Sequence, residues 1–319
     1  MISRGETTAT ILDVARRAGV SRTTVSRVLN EPDRVSPGTL QRVRAAVADL
    51  KYAPNTVARG LRSGRTGLVA LLVGDISQPF HGALAQAVAA AAEARGLGVI
   101  LYDLGHSRTR LQDVLNKLPG QGVDGIIIAT ADDISAPEIR AALAHCLESH
   151  IAVVTGMELF DDDAVAAVNF DPAAGSRLAV EALAEAGKHA PALLVGDAAS
   201  PLARHLARGA PTALLVEAGY SFDGAGRAAR ELPREVDSVI AATLPMAIGA
   251  WNALAGEGRD LPLILCEDTP LAAHVRPSFT TVAIAPETLG AEMVRLVSLP
   301  AQADPPPVLN PELVRRETF

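Results

Sequence analysis

Apolar positions recur at helical spacing through the first fifty residues, and from residue 67 they gather into short runs. Residues 10–30 read as two short helices joined by a tight turn. Thr10 is placed to cap the first helix, with Asp13 three residues on completing a capping-box pattern. Leu12, Ala15 and Ala18 are expected on its buried face. Gly19 takes the turn, where a left-handed backbone angle is expected. Ser21 caps the second helix, which buries Val25, Val28 and Leu29 and leaves Arg22, Thr23, Ser26 and Arg27 pointing outward. A third helix starts at Ser36, with Pro37 in its first position, and repeats Leu40, Val43, Val47 and Leu50. One more short helix is delimited by Pro54-Asn55 and Gly64. Its own burial is poor, so it is either a linker or a helix that forms when a partner supplies packing.

The later apolar runs span residues 67–73, 97–102, 123–129, 151–154, 192–195, 212–216, 236–241 and 261–266. They alternate with alanine-rich amphipathic segments. This is the pattern of parallel strands covered on both faces, and it predicts an α/β body of the doubly wound type. Loops such as residues 74–79 then lie at the carboxyl ends of strands, where such sheets bind ligands. The end of the chain reads as a proline linker followed by a final strand within 308–319.

Charge sharpens this division. Residues 1–66 carry twelve Lys/Arg against five Asp/Glu, a net of +7, while the remainder carries −14. A basic head on an acidic body suits a module that holds a phosphate backbone. A short helix that buries three apolar residues and exposes two arginines fits the DNA major groove. Residues 1–20 show no secretory pattern and no run of 18 apolar residues occurs, so a cytoplasmic protein without membrane contact is expected. Cys146 and Cys266 are isolated, which speaks against a disulfide scaffold or zinc site. Asp161-Asp162-Asp163 reads as a solvated loop. No nucleophile elbow, phosphate-binding loop or paired-histidine zinc motif occurs, so neither an enzyme nor a cofactor is expected.

The segments Asp13-Val14-Ala15, Gly19-Val20-Ser21, Thr24-Val25-Ser26-Arg27-Val28-Leu29-Asn30 and Asn55-x-x-Ala58-Arg59-x-Leu61 together resemble the LacI/GalR family of bacterial transcription factors. Gln78-Pro79-Phe80, Gly122-Val123-Asp124-Gly125-Ile126-Ile127, Phe279-Thr280-Thr281-Val282 and Leu313-Val314-x-Arg316 also fit. The similarity runs from about Thr10 to the C-terminus and is weakest over residues 196–270. It implies an all-α helix-turn-helix headpiece (1–52), a hinge helix (53–66), and a body (67–319). The body would be of the periplasmic-binding-protein type, with two doubly wound parallel-sheet subdomains.

The resemblance also implies a homodimeric regulator, a repressor in the first instance, that binds a palindromic double-stranded DNA operator and responds to a small molecule in the cleft. Thr10, Ser21, Arg22, Thr23, Thr24, Ser26, Arg27 and Asn30 fall at its DNA-contacting positions. Asn55, Ala58, Leu61 and Arg62 do so in the hinge, with Leu61 as a minor-groove wedge. Arg22 and Arg27 either read a guanine edge or touch phosphate alone. For the effector, the carried-over positions are Phe80 and His81, Arg204 or Arg208, Tyr220 or Phe222, Leu244, and Glu267 or Asp268. Phe80 is either a stacking surface or ordinary core. Leu244 stands where the family has a hydroxyl-binding carboxylate, so sugars are expected to bind weakly. Two alternatives are a sugar-binding module with no DNA role and a regulator that has lost its effector response. The basic headpiece argues against the first.

Overall fold

The computed structural model describes residues 9–52, 65–130, 132–156, 165–299 and 307–319. The chain divides into two compact units, Met1–Thr66 and Gly67–Phe319. Asn55, Ala58, Leu61 and Arg62, and the Asp161–163 run, lie outside the described residues.

In the first unit α1 spans Ile11–Ala18, α2 Arg22–Asn30 and α3 Pro37–Asp49, with a 3₁₀ turn at Pro32–Arg34. Thr10 caps α1 reciprocally: its Oγ1 accepts the Asp13 N–H at 3.3 Å, and Asp13 Oδ2 accepts the Thr10 N–H at 2.9 Å. Such a box satisfies two of the amides a helix start leaves open. The turn residue Gly19 sits at φ 64°, the left-handed region where a side chain would be strained. Val14, Val25 and Val43, one from each helix, are fully buried and form the centre of a small core with Ala15, Ala18, Val28 and Ala46.

Leu12 departs from expectation: it is 55% exposed. The inward stripe is instead Ile11, Val14, Ala15 and Ala18. At 100° per residue the spacing i, i+3, i+4, i+7 stays on one face, whereas Leu12 is rotated a full step away from it.

The second unit holds two sheets. The first has order β2-β1-β3-β4-β5 and is parallel throughout, from β1 Leu68–Val73, β2 Gly98–Asp103, β3 Gly125–Ala129, β4 Ala152–Thr155 and β5 Val165–Ala167. The second runs β11-β10-β9-β8-β6-β7, from β6 Pro191–Val195, β7 Leu214–Glu217, β8 Ser238–Ala241, β9 Leu263–Leu265, β10 Thr280–Ala283 and β11 Glu312–Val314. Among the described residues of this sheet only β11 pairs antiparallel. Both sheets repeat one winding: the first strand lies inside, the second outside it, and the third on its other side. Each therefore has a switch point, between β1 and β3 and between β6 and β8, where neighbouring loops diverge and leave a crevice.

The connecting helices are α4 Pro79–Glu93, α5 Arg108–Gln121, α6 Pro137–Glu148, α7 Pro172–Glu185, α8 Pro201–Gly209, α9 Phe222–Arg230, α10 Leu244–Gly256, α11 Pro270–His274 and α12 Pro286–Ser298. All eight apolar runs named above overlap a strand. β5 and β10 were not among them. β5 is only three residues long, and β10 opens on two threonines that read as polar. Both are fully buried, and their hydroxyls are satisfied: Arg316 N–H donates to Thr280 Oγ1 at 2.8 Å, and the Arg316 guanidinium to Thr281 Oγ1 at 3.1 Å. Although α12 follows β10 of the second sheet, it packs Leu289, Met293, Val294 and Val297 into the core of the first. The chain thus crosses between lobes and ties them into one unit.

Candidate DNA-recognition face and ligand cavity

The second helix presents two faces set by its 3.6-residue period. Val25 and Val28 go inward; Arg22, Thr23 and Arg27 are exposed, and Thr24 and Ser26 are half-buried. Ser21 Oγ accepts the Thr24 N–H at 3.1 Å and lies 2.8 Å from Thr24 Oγ1, so both hydroxyls serve the cap. Thr10 is likewise engaged in the α1 cap. Arg16 pairs with Asp13 at 2.7 Å and Arg17 with Asp49 at 2.8 Å. Arg22 and Arg27 have no ion-pair partner among the described residues. Two unpaired guanidinium groups on the exposed face of a capped helix are free to reach base edges or phosphate. Asn30 ends α2, and its side chain lies outside what is described.

In the body, a cavity of about 180 Å³ opens between the lobes at the carboxyl ends of both sheets. The first lobe supplies Gln78, Phe80, His81, His106 and Thr130; the second supplies Leu202, Leu206, Tyr220, Thr243 and Glu267. These residues follow β1, β2, β3, β6, β7, β8 and β9, where the switch-point rule puts a ligand.

A ring pair crosses the cleft. His106 and Tyr220 stack with centroids 4.6 Å apart and planes 10° off parallel. His106 is held at φ 53°, an uncommon left-handed position for a residue other than glycine. Its Nδ1 donates to Asp132 Oδ1 at 3.0 Å, and Thr130 Oγ1 donates to Asp132 Oδ2 at 2.6 Å. The Asp132 bond raises His106 above the ordinary imidazole value against the opposing pull of burial. Burial holds His81 below that value, and its Nδ1 donates to the Asp75 carbonyl at 2.8 Å.

Two glycines leave room for the ring pair. A Cβ on Gly74 would sit 2.9 Å from His106 Cε1, and one on Gly196 would sit 2.2 Å from Tyr220 Cζ. Gly196→Ala is therefore expected to push Tyr220 off its site and cost roughly 1–3 kcal/mol by overpacking. An equilibrium urea melt reads this; an unchanged midpoint would show that the ring swings aside freely.

Glu267 lines the far end of the cavity, and burial pushes its carboxyl up to about 8, more than the Leu244 N–H bond lowers it. That bond is 2.9 Å, to Oε2. Leu244 itself is fully buried and offers only this backbone amide. Asp268 does not line the cavity; it pairs with Arg316 at 3.0 Å. Arg204 and Arg208 are exposed on α8, because the same helix turns Leu202 and Leu206 toward the cavity. Phe222 starts α9 and is 51% exposed, away from the lining. Of the effector positions expected from sequence, the cavity brings together Phe80, His81, Tyr220 and Glu267. His106, Asp132, Thr130 and Thr243 were not expected. The rule that ligand loops follow strand ends was applied only to the loop after β1, and would have reached them if carried to the others.

Residues 10–55 match the family described as bacterial regulatory proteins, lacI family, and residues 69–297 match the periplasmic binding protein domain. The HTH-type transcriptional regulator CelR of Thermobifida fusca is 31% identical over 310 residues, with 89% of each chain covered. The ribose operon repressor of Halalkalibacterium halodurans is 30% identical over 310 residues, 90% of this chain and 89% of that one. The crystal structure of the Lac repressor dimer bound to operator and the anti-inducer ONPF superposes with a TM-score of 0.80, 27% identity, and coverage of 98% and 99%. A helix-turn-helix headpiece, a twice-repeated doubly wound body and sequence matches across both make one conclusion unavoidable. The chain belongs to the LacI family of bacterial regulatory proteins, as a DNA-binding transcription regulator and not an enzyme.

Proposed function

We propose that this regulator is a cytoplasmic, sequence-specific repressor that binds a roughly palindromic operator as a homodimer and is modulated by a small molecule in the interlobe cavity. The observation that carries the DNA half is the exposed Arg22–Thr23–Arg27 face on a helix whose other side is buried. One such helix reads one half-site, so two-fold protein symmetry implies a two-fold site. Asn55, Ala58, Leu61 and Arg62 are assigned to the hinge, with Leu61 wedged at the operator centre, on the sequence match alone.

Dimerisation is assigned to the outer strands of the body. β2 and β7 are sheet edges, and Leu101, Leu214 and Leu215 on them are 43%, 44% and 40% exposed. Parallel sheets ordinarily have their apolar side chains covered, and exposed apolar edges invite pairing with another chain. The lobes' closure about the cavity then sets the spacing of two headpieces.

Operator selection from random duplexes tests this reading. The enriched sequences should be inverted repeats, and Leu215→Arg should convert the dimer to monomer in sedimentation and weaken operator binding. Enrichment of asymmetric sites, or a Leu215→Arg protein that stays dimeric, would overturn the corresponding half.

A further inference from the structure

The cavity has a chemical bias that its position between two sheets does not demand. Much of its wall is aliphatic or aromatic, with Leu84, Phe170, Leu206 and Met293 among the lining residues, and no Lys or Arg is among them. Most of its polar liners are already satisfied by the protein. Gln78 Nε2 lies 3.1 Å from His106 Nε2, His106 and Thr130 both bond Asp132, and Asp171 takes the Arg177 guanidinium at 2.8 Å.

Two groups at the second-lobe end differ. Thr243 is 4% exposed, and its Oγ1 has no hydrogen-bond partner among the described residues. It precedes α10 as N-cap residue yet makes no side-chain cap bond. The first free amide of that helix, from Leu244, goes to Glu267 Oε2 instead. Glu267 Oε2 is thereby occupied, and its second oxygen is left for another partner.

Resting on the reading of this cavity as the effector site, we propose that the effector is a compact uncharged molecule with an apolar aryl or alkyl face and one hydroxyl or carbonyl group, bound by Thr243 Oγ1 and Glu267. A polyhydroxylated sugar would turn hydroxyls toward hydrocarbon, where they lose their water partners. A carboxylate or phosphate would meet no Lys or Arg in the lining, His106 is already paired with Asp132, and Glu267 stands at the same end. The start of α10, which favours an anion, is already taken by that carboxyl. Because burial keeps Glu267 protonated near neutral pH, it can donate its O–H to a ligand oxygen while Oε2 accepts from Leu244. Thr243 Oγ1 both donates and accepts, so one ligand hydroxyl can satisfy both residues.

Calorimetric titration of the full-length protein at pH 7 with benzyl alcohol, ribose and benzoate tests the class. Benzyl alcohol has the apolar face and one hydroxyl, ribose the polyol, and benzoate the same ring with a charge. Benzyl alcohol is expected to bind at least about tenfold tighter than either, the difference one unsatisfied buried polar group makes. Thr243→Val should weaken it by about tenfold, while Thr243→Ser, which keeps the hydroxyl, should bind within a few-fold of the parent. Melting curves confirm that both variants fold. Tighter ribose or benzoate binding overturns the proposal, as does a Thr243→Val protein that binds benzyl alcohol normally. If ribose binds and releases operator, the effector-controlled reading survives alone. If none of the three binds, the proposal falls, and a failure of sugars to release operator removes the effector reading with it.

Discussion

Arg22→Ala is expected to weaken operator binding roughly 5- to 150-fold, the 1–3 kcal/mol of one bidentate contact to a guanine edge, and to relax preference at a single base position. Arg22 is exposed at the start of α2 and has no ion-pair partner among the described residues, so its removal leaves the headpiece core untouched. Binding should also fall steeply with salt, since a headpiece of net +7 displaces several counterions from the duplex. The two effects separate the roles. A base contact changes selectivity at fixed salt, whereas a phosphate contact lowers affinity for every sequence and makes the salt slope shallower by about one. Mobility shifts on operator and on scrambled DNA at several salt concentrations measure both. An Arg22→Ala protein that loses affinity equally for both duplexes would place Arg22 on phosphate.

Glu267 makes stability pH-dependent. Its carboxyl titrates at about 8 in the folded protein because of burial, well above the value of about 4.3 in an unfolded chain. Between these values the folded state holds a proton that the unfolded state has released. Stability from this group is therefore full below about pH 4 and declines as pH rises toward 8, after which the loss is complete. The full span corresponds to something on the order of 3–5 kcal/mol. Glu267→Gln keeps an oxygen for the Leu244 amide and cannot ionise, so it should gain stability over the parent at pH 9 and match it near pH 5. Urea melts of both proteins at these two values read the difference. Parallel pH profiles would show that Glu267 is solvated and ionises normally.

Folding units and their chemistry were readable from local pattern to different depths. Thr10, Gly19, Ser21 and Pro37 are local signals whose physics needs only their neighbours in sequence, and each sits where its cap or turn requires it. Unbroken apolar runs such as residues 67–73 and 192–195 announce strands covered on both faces, because a parallel sheet carries helices on each side. Leu12 shows the limit within one helix: a spacing of three drifts off the face over two turns, and packing against α2 and α3 decides which stripe goes in.

Beyond single elements, the sequence carried less. β10 reads as polar because its threonines find partners some 35 residues away, at Arg316 and Thr318. Arg204 and Arg208 stand where the family resemblance implies a ligand-contacting arginine, but the orientation of α8 gives the cavity Leu202 and Leu206. The His106–Tyr220 stack joins loops that follow β2 and β7, on different sheets, and no local motif relates them. Basic charge, two short capped helices and alternating apolar runs were enough to determine a DNA-binding head on a doubly wound body, since each follows from short-range periodicity and composition. Which side chains face the cavity, that Glu267 is held protonated there, and that Thr243 is left unpaired were decided by the tertiary structure alone, because burial and hydrogen-bond partners are properties of strand ends that only the folded sheets bring together.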